Sequence, residues 1–102
     1  MIHVVALITA QPGQRGKILE AFNANVAAVR AEDGCIEYIA TIDAQGVPPS
    51  RGSVGADTFV VVEKWETTDD LKAHSAAPHM AAYAAKTREH IASRVIHVLS
   101  PT

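Results

Sequence analysis

Disulfide chemistry is the first thing this sequence lacks. Only Cys35 among its 102 residues is a cysteine, so no internal disulfide can form, which fits a reducing compartment. Clustered positive charge is also missing. Nine Lys and Arg against eleven Asp and Glu leave a formal net charge of −2, and no stretch gathers the cations into a patch or a basic amphipathic helix. That removes the electrostatic footprint of a nucleic-acid binder and any case for an anionic membrane surface. No apolar run reaches the length that spans a bilayer. The opening Met1-Ile-His-Val-Val-Ala-Leu-Ile has neither the basic leader nor the cleavage site of a secretory signal, so the expected location is cytoplasmic. Internal repeats and low-complexity segments are absent as well. Aromatic residues are few: one Trp, two Tyr and two Phe, which confines polar-aromatic chemistry to a handful of positions.

What is present is an apolar, foldable chain. Hydrophobic residues make up 48% and charged residues 20%, a balance that places it with globular proteins and not disordered ones. Its length supplies one core, so residues 1–102 are expected to form a single domain. The chain opens with a strand over 2–10, apolar on both faces: Ile2, Val4, Ala6 and Ile8 on one, Val5 and Leu7 on the other. Gln11-Pro-Gly-Gln turns the chain into a helix over 15–31, whose Ile18, Leu19, Phe22, Val26 and Val29 form one stripe. Gly34 is placed to close it in a left-handed conformation. A second strand follows over 35–43, with Ile36, Tyr38, Ala40 and Ile42 alternating against Cys35, Glu37, Ile39 and Thr41. Residues 44–57 are rich in Gly, Pro and Ser and read as an exposed hairpin loop, with closure over a pocket as the lesser alternative.

The stretch from Phe59 to Tyr83 concentrates the chemistry: the only Trp, two of the five His and one of the two Tyr. It begins as a strand, Phe59 to Trp65, and passes into a short helix with Thr67 and Asp70 at the spacing of a capping box. Pro78 opens another helix, expected over 78–91, with Met80, Ala84, Thr87 and Ile91 on an apolar face and His79, Tyr83, Lys86 and His90 on a polar one. A last strand over 95–99 completes the order β-α-β-β-α-β. This is the ferredoxin-like split βαβ pattern, an α+β fold with an antiparallel sheet and helices on one face. Helices cover only one face, so the doubly apolar first strand predicts a homodimer in which a second sheet covers the other.

Three phrases together resemble the antibiotic biosynthesis monooxygenase (ABM) domain family: Phe59-Val-Val-Val-Glu-Lys-Trp65, Asp70-Leu-Lys-Ala-His74 and Pro78-His79. Gly34-Cys-Ile-Glu-Tyr38 is similar to that family's second strand, so the resemblance covers essentially the whole chain. It implies a dimeric α/β barrel with a pocket between sheet and helices. It also implies a monooxygenase that oxidises a small aromatic, hydroquinone-like substrate with O₂, using neither metal nor flavin. Relatives on this fold include haem-degrading enzymes and an isomerase of a small phosphorylated hydroxyketone, so fold alone does not decide function. Haem degradation would require an asparagine on the first strand, which has hydrophobic residues and Thr9 instead.

The candidate catalytic residues are His74, His79 and Tyr83. A histidine can exchange the proton of a phenol or enol near neutral pH. His74 is the stronger candidate because its place within Leu-x-x-His matches the family pattern. His79 and Tyr83 lie one turn apart and either share a site or make a structural hydrogen bond. Candidate substrate contacts are Trp65, Phe59, Glu63 and Tyr38. By the period of two, Phe59, Val61, Glu63 and Trp65 share a face, where Trp65 is either core or pocket wall. Glu63 is a carboxylate in an apolar strand, so it must be paired or shifted in pKa. An ion pair with a Lys or Arg of a partner subunit is the favoured reading, and a base facing the pocket the other. His74 and His79 are five apart across Pro78, which is not metal-pair spacing, so no metal is expected. Cys35 has no cationic neighbour in sequence to activate it and reads as structural. Two other readings stay open: an isomerase using His74 with His79, and a non-catalytic dimeric ligand-binding domain.

Overall fold

The computed structural model describes residues 1–48 and 51–102. These form four strands and three α-helices: β1 (Ile2–Ala10), α1 (Arg15–Arg30), β2 (Cys35–Thr41), β3 (Thr58–Trp65), α2 (Thr68–Ser75), α3 (Pro78–Thr87) and β4 (Ile91–Leu99). One turn of 3₁₀ helix, Arg88–His90, joins α3 to β4. The sheet is antiparallel in the order β2-β3-β1-β4, the ferredoxin-like α+β arrangement.

The inner face of the sheet carries the core. Val4, Ala6 and Ile8 of β1 and Phe59, Val61 and Trp65 of β3 are buried there against Ile18, Phe22 and Val29 of α1. Burying each large side chain of this kind contributes roughly 1.5–3 kcal/mol, so the α1 stripe is what holds the helix on the sheet. Phe22 stacks on Tyr38 with ring centroids 4.9 Å apart and meets Phe59 and Tyr83 edge-on at 6.1 Å. Gly34 adopts φ 77°, and its carbonyl accepts from the Glu66 amide at 2.9 Å. The Thr67 side chain caps α2 by accepting from the Asp70 amide at 3.1 Å. Pro78 stands in the first turn of α3, where its missing N–H leaves no gap.

Three sequence expectations change. The alternation along β2 breaks at a bulge: Cys35 pairs with Trp65, Glu37 with Lys64 and Tyr38 with Glu63, leaving Ile36 as the extra residue. Cys35 therefore packs toward the core with Tyr38, and Ile36 is exposed. α3 stops at Thr87, not Ile91, and β4 begins at Ile91, because pairing along the whole of β1 outweighs one further helical turn. Finally, Tyr83, expected on the polar face of α3, packs beside the core as Met80 of the apolar face does.

The outer face is covered by none of these helices. Val5 and Leu7 of β1 lie there beside Val60 and Val62 of β3, with Val95 and Leu99 of β4 and Ile39 of β2 to either side. In the 44–57 connection, Pro49 and Ser50 lie outside the described residues. Its base is tied down: the Asp43 carboxylate accepts from the Val54 and Gly55 amides at 2.9 Å, and Arg15 donates to the Gly55 and Thr58 carbonyls.

Candidate active site

The helices do not fill the space over the inner face. A cavity of about 740 Å³ lies between Val4, Ala6, Ile8 and Val61 below and the α2–α3 region above. That volume suits a small organic ligand. Its lining is mainly apolar, with polar groups gathered at two ends. Glu63 is level with Val4 and Val98 across the sheet, and beside it lie His74 and Tyr38. Toward the other end are Arg94, level with Ile8, and the Thr87–Arg88 junction.

His74 is 5% exposed, so its polar atoms need partners within the protein. Its Nδ1 lies 2.9 Å from Glu32 Oε2, and its Nε2 lies 4.0 Å from Glu63 Oε1. A carboxylate only accepts, so Nδ1 is the donor toward Glu32, and Nε2 is the ring nitrogen that faces Glu63. Glu63 Oε1 in turn accepts from Trp65 Nε1 at 2.9 Å. The Trp65 ring packs 4.7 Å from His74, centroid to centroid, and fixes its plane. His79 Nε2 reaches the same Glu32 oxygen at 3.3 Å, while its buried Nδ1 has no hydrogen-bond partner among the described residues. A carboxylate thus joins two histidines from successive helices.

The electrostatics separate bases from acids. Burial raises the Glu63 carboxyl above the ordinary range, against the opposing pull of the Trp65 N–H and His74. Burial also raises the Tyr38 phenol, and the Tyr83 phenol is pushed up to about 12 by burial although Arg94 opposes the rise. Both phenols are therefore donors at neutral pH and not bases. Burial also raises the Cys35 thiol, which keeps it from acting as a thiolate.

The seven residues singled out in the sequence fall into three places. His74, Glu63, Tyr38 and Tyr83 line the large cavity. Trp65 and Phe59 are completely buried and support its floor from behind without lining it. His79 lines a smaller cavity of about 140 Å³ between α1 and α3, with Asn25, Tyr83 and Lys86. Glu63 faces the inner side of the sheet, lines the cavity and accepts from Trp65 within its own chain, which is the pocket-facing orientation of the two that the sequence left open. Sequence reasoning passed over Glu32, two residues before the closing Gly34, and the pair Arg88 and Arg94. Among the described residues no group of three or more His, Cys, Asp or Glu is arranged to hold a metal ion. No helix among them is long and apolar enough to cross a membrane.

A ferredoxin-like α+β domain with a histidine-bearing apolar cavity defines the class. A sequence profile described as antibiotic biosynthesis monooxygenase matches residues 1–86, and the chain belongs to that family. It is 36% identical over 104 residues to an Escherichia coli protein named probable quinol monooxygenase YgiN, covering 99% of this chain and 98% of that one. Two solved structures share the fold over 99% of the chain. PA3566 of Pseudomonas aeruginosa matches with a TM-score of 0.82 at 24% identity over 93% of its own length. Rv0793 of Mycobacterium tuberculosis matches with a TM-score of 0.80 at 25% identity over 94% of its length. The chain is thus an enzyme of the monooxygenase type.

Proposed function

We propose that this enzyme oxidises a small hydroquinone-like aromatic with O₂ without a resident cofactor, and that His74 is its base. The observation that carries the reading is His74 itself: a buried imidazole, its tautomer held by Glu32, at the polar end of an apolar cavity of aromatic-ligand size. His74 Nε2 takes the phenol proton, and the apolar walls keep water from stabilising the resulting anion. The electron-rich anion passes one electron to O₂, and the radical pair joins at a ring carbon. Loss of the ring proton and cleavage of the O–O bond leave one oxygen on the ring as a hydroxyquinone and release the other as water. The protonated His74 returns the proton that the leaving oxygen needs. Tyr38 and Tyr83, neutral at this pH, are placed to donate hydrogen bonds to substrate oxygens. Trp65 and Phe59 act from behind the cavity wall, and His79 through Glu32.

The same proposal includes a homodimer formed through the outer face of the sheet, and a cytoplasmic setting in which the Cys35 thiol stays reduced. Isomerisation of a small hydroxyketone is the competing reading. It asks for a second acid–base group facing the same substrate, and His79 faces the smaller cavity instead. Oxygen uptake against a panel of hydroquinones and anthrones, corrected for autoxidation, tests the proposal. His74→Ala is expected to lower turnover by roughly 100-fold or more, and Glu32→Gln by roughly 10-fold. Turnover that is unchanged in His74→Ala, or conversion that proceeds under argon, would overturn it.

A further inference from the structure

The end of the cavity remote from His74 is cationic, in a chain whose net charge is −2. Arg88 follows α3 and Arg94 lies on the inner side of β4, and both line the cavity. Two other arginines are put to structural use. Arg15 donates to the Gly55 and Thr58 carbonyls, and Arg30 donates through Nε and Nη2 to the Tyr38 carbonyl. Arg88 and Arg94 have no such bond, and no carboxylate among the described residues lies within ion-pair distance of either. Glu89, the nearest acid in sequence to Arg88, is turned to His90 at 3.5 Å. The Arg94 charge is close enough to oppose the rise in the Tyr83 pKa, which places it toward the cavity and not away from it.

The wall between the two ends is apolar and uncovered. Ile96 and Val98 are 54% and 56% exposed on the cavity side of β4. A flat ring laid across them would remove that surface from water. Arg94 is four residues from Val98, which is level with Glu63 two strands away. That is about 13 Å along the sheet and about 10 Å across it. Less the reach of the side chains from both ends, the gap suits a two-ring aromatic with substituents at opposite ends.

We infer that the substrate carries an anionic substituent, which Arg88 and Arg94 bind while its phenolic hydroxyl faces His74. This rests on the reading that the cavity takes an aromatic ring. Guanidinium groups match carboxylate and phosphate oxygens in paired hydrogen bonds, so both anions fit the chemistry. The reverse orientation would set the anion against Glu63.

Binding under argon tests the inference apart from any oxygen chemistry. The probes are 2-naphthol, 6-hydroxy-2-naphthoate, its methyl ester and the corresponding phosphate monoester, titrated into the full chain. The carboxylate is expected to bind about 10-fold or more tighter than the ester and 2-naphthol. In the double variant R88Q/R94Q that advantage should shrink to about twofold, with 2-naphthol affinity unchanged. A phosphate ester that binds tighter than the carboxylate supports the cationic subsite and identifies phosphate as its anion. Equal affinity for acid and ester, or an advantage that survives R88Q/R94Q, overturns the inference and leaves the aromatic cavity standing. If none of the four binds, the aromatic reading fails and the inference fails with it.

Discussion

Glu63 shows how one buried carboxyl group links stability to pH. Its folded pKa is raised by burial, so the folded protein holds a proton that the unfolded chain releases. Stability from this group is therefore complete at or below the unfolded value of 4.5 and declines as pH rises through the folded value. Glu63→Gln keeps an oxygen for the Trp65 N–H and removes the ionisation. Thermal unfolding should show a Tm a few degrees above wild type at pH 8 and no gain at pH 4. A lower Tm at pH 8 would mean that the charged carboxylate is net stabilising there. At this scale the sequence announced His74 and Glu63 by placing polar groups in apolar surroundings. Glu32 carried no such mark, since a Glu-Asp-Gly sequence after a helix reads as a stop and its two histidine partners lie far along the chain.

Between elements, short connections with fixed stereochemistry decide where side chains point. Gly34 combines a positive φ with a wall: a Cβ there would run into the Asp70 carboxyl at the start of α2. Gly34→Ala should lower unfolding free energy by about 1–3 kcal/mol in urea titration, since strain and collision act together. Gly16 in α1 is the control. A Cβ there meets nothing within 4 Å, so Gly16→Ala should be neutral or stabilising by up to about 1 kcal/mol. Equal effects at both positions would show that the turn is not under the constraint described. The strands β1 and β3, the α2 cap and the Pro78 break were legible because each has a strong local signature. The bulge at Ile36 was not, since one unpaired residue reverses an alternation without changing composition. The early start of β4 escaped for a related reason: Thr87 and Ile91 have helical spacing, and only pairing with β1 sets the boundary.

For the whole molecule, the proposed dimer makes the outer face of the sheet the surface to test. Val62 lies near its middle, opposite Val5 and Ile39. Sedimentation equilibrium should give about twice the 10.8 kDa chain mass for wild type and a single chain mass for Val62→Asp, with far-ultraviolet circular dichroism unchanged. A monomeric wild type would remove the dimer from the proposal. The fold as a whole was readable from element order and the family resemblance implied a pocket between sheet and helices, whereas the shape of the cavity was not readable. Its shape depends on how far the α2–α3 region stands off β4, and that distance has no sequence signature.

β4 also has a bare flank. It is an outermost strand of the sheet, nine residues long, and nearly all of it is exposed. Its outward N–H and C=O groups offer a template on which another extended chain could add, and Val95, Ile96, Val98 and Leu99 make that template adhesive. Two features blunt it: the Arg94 charge within the strand and Pro101 just past its end, which cannot extend the hydrogen-bonded ladder. Exchanging Arg94 for an apolar residue is therefore expected to favour fibrous self-association and to lower solubility, apart from any effect on ligand selection.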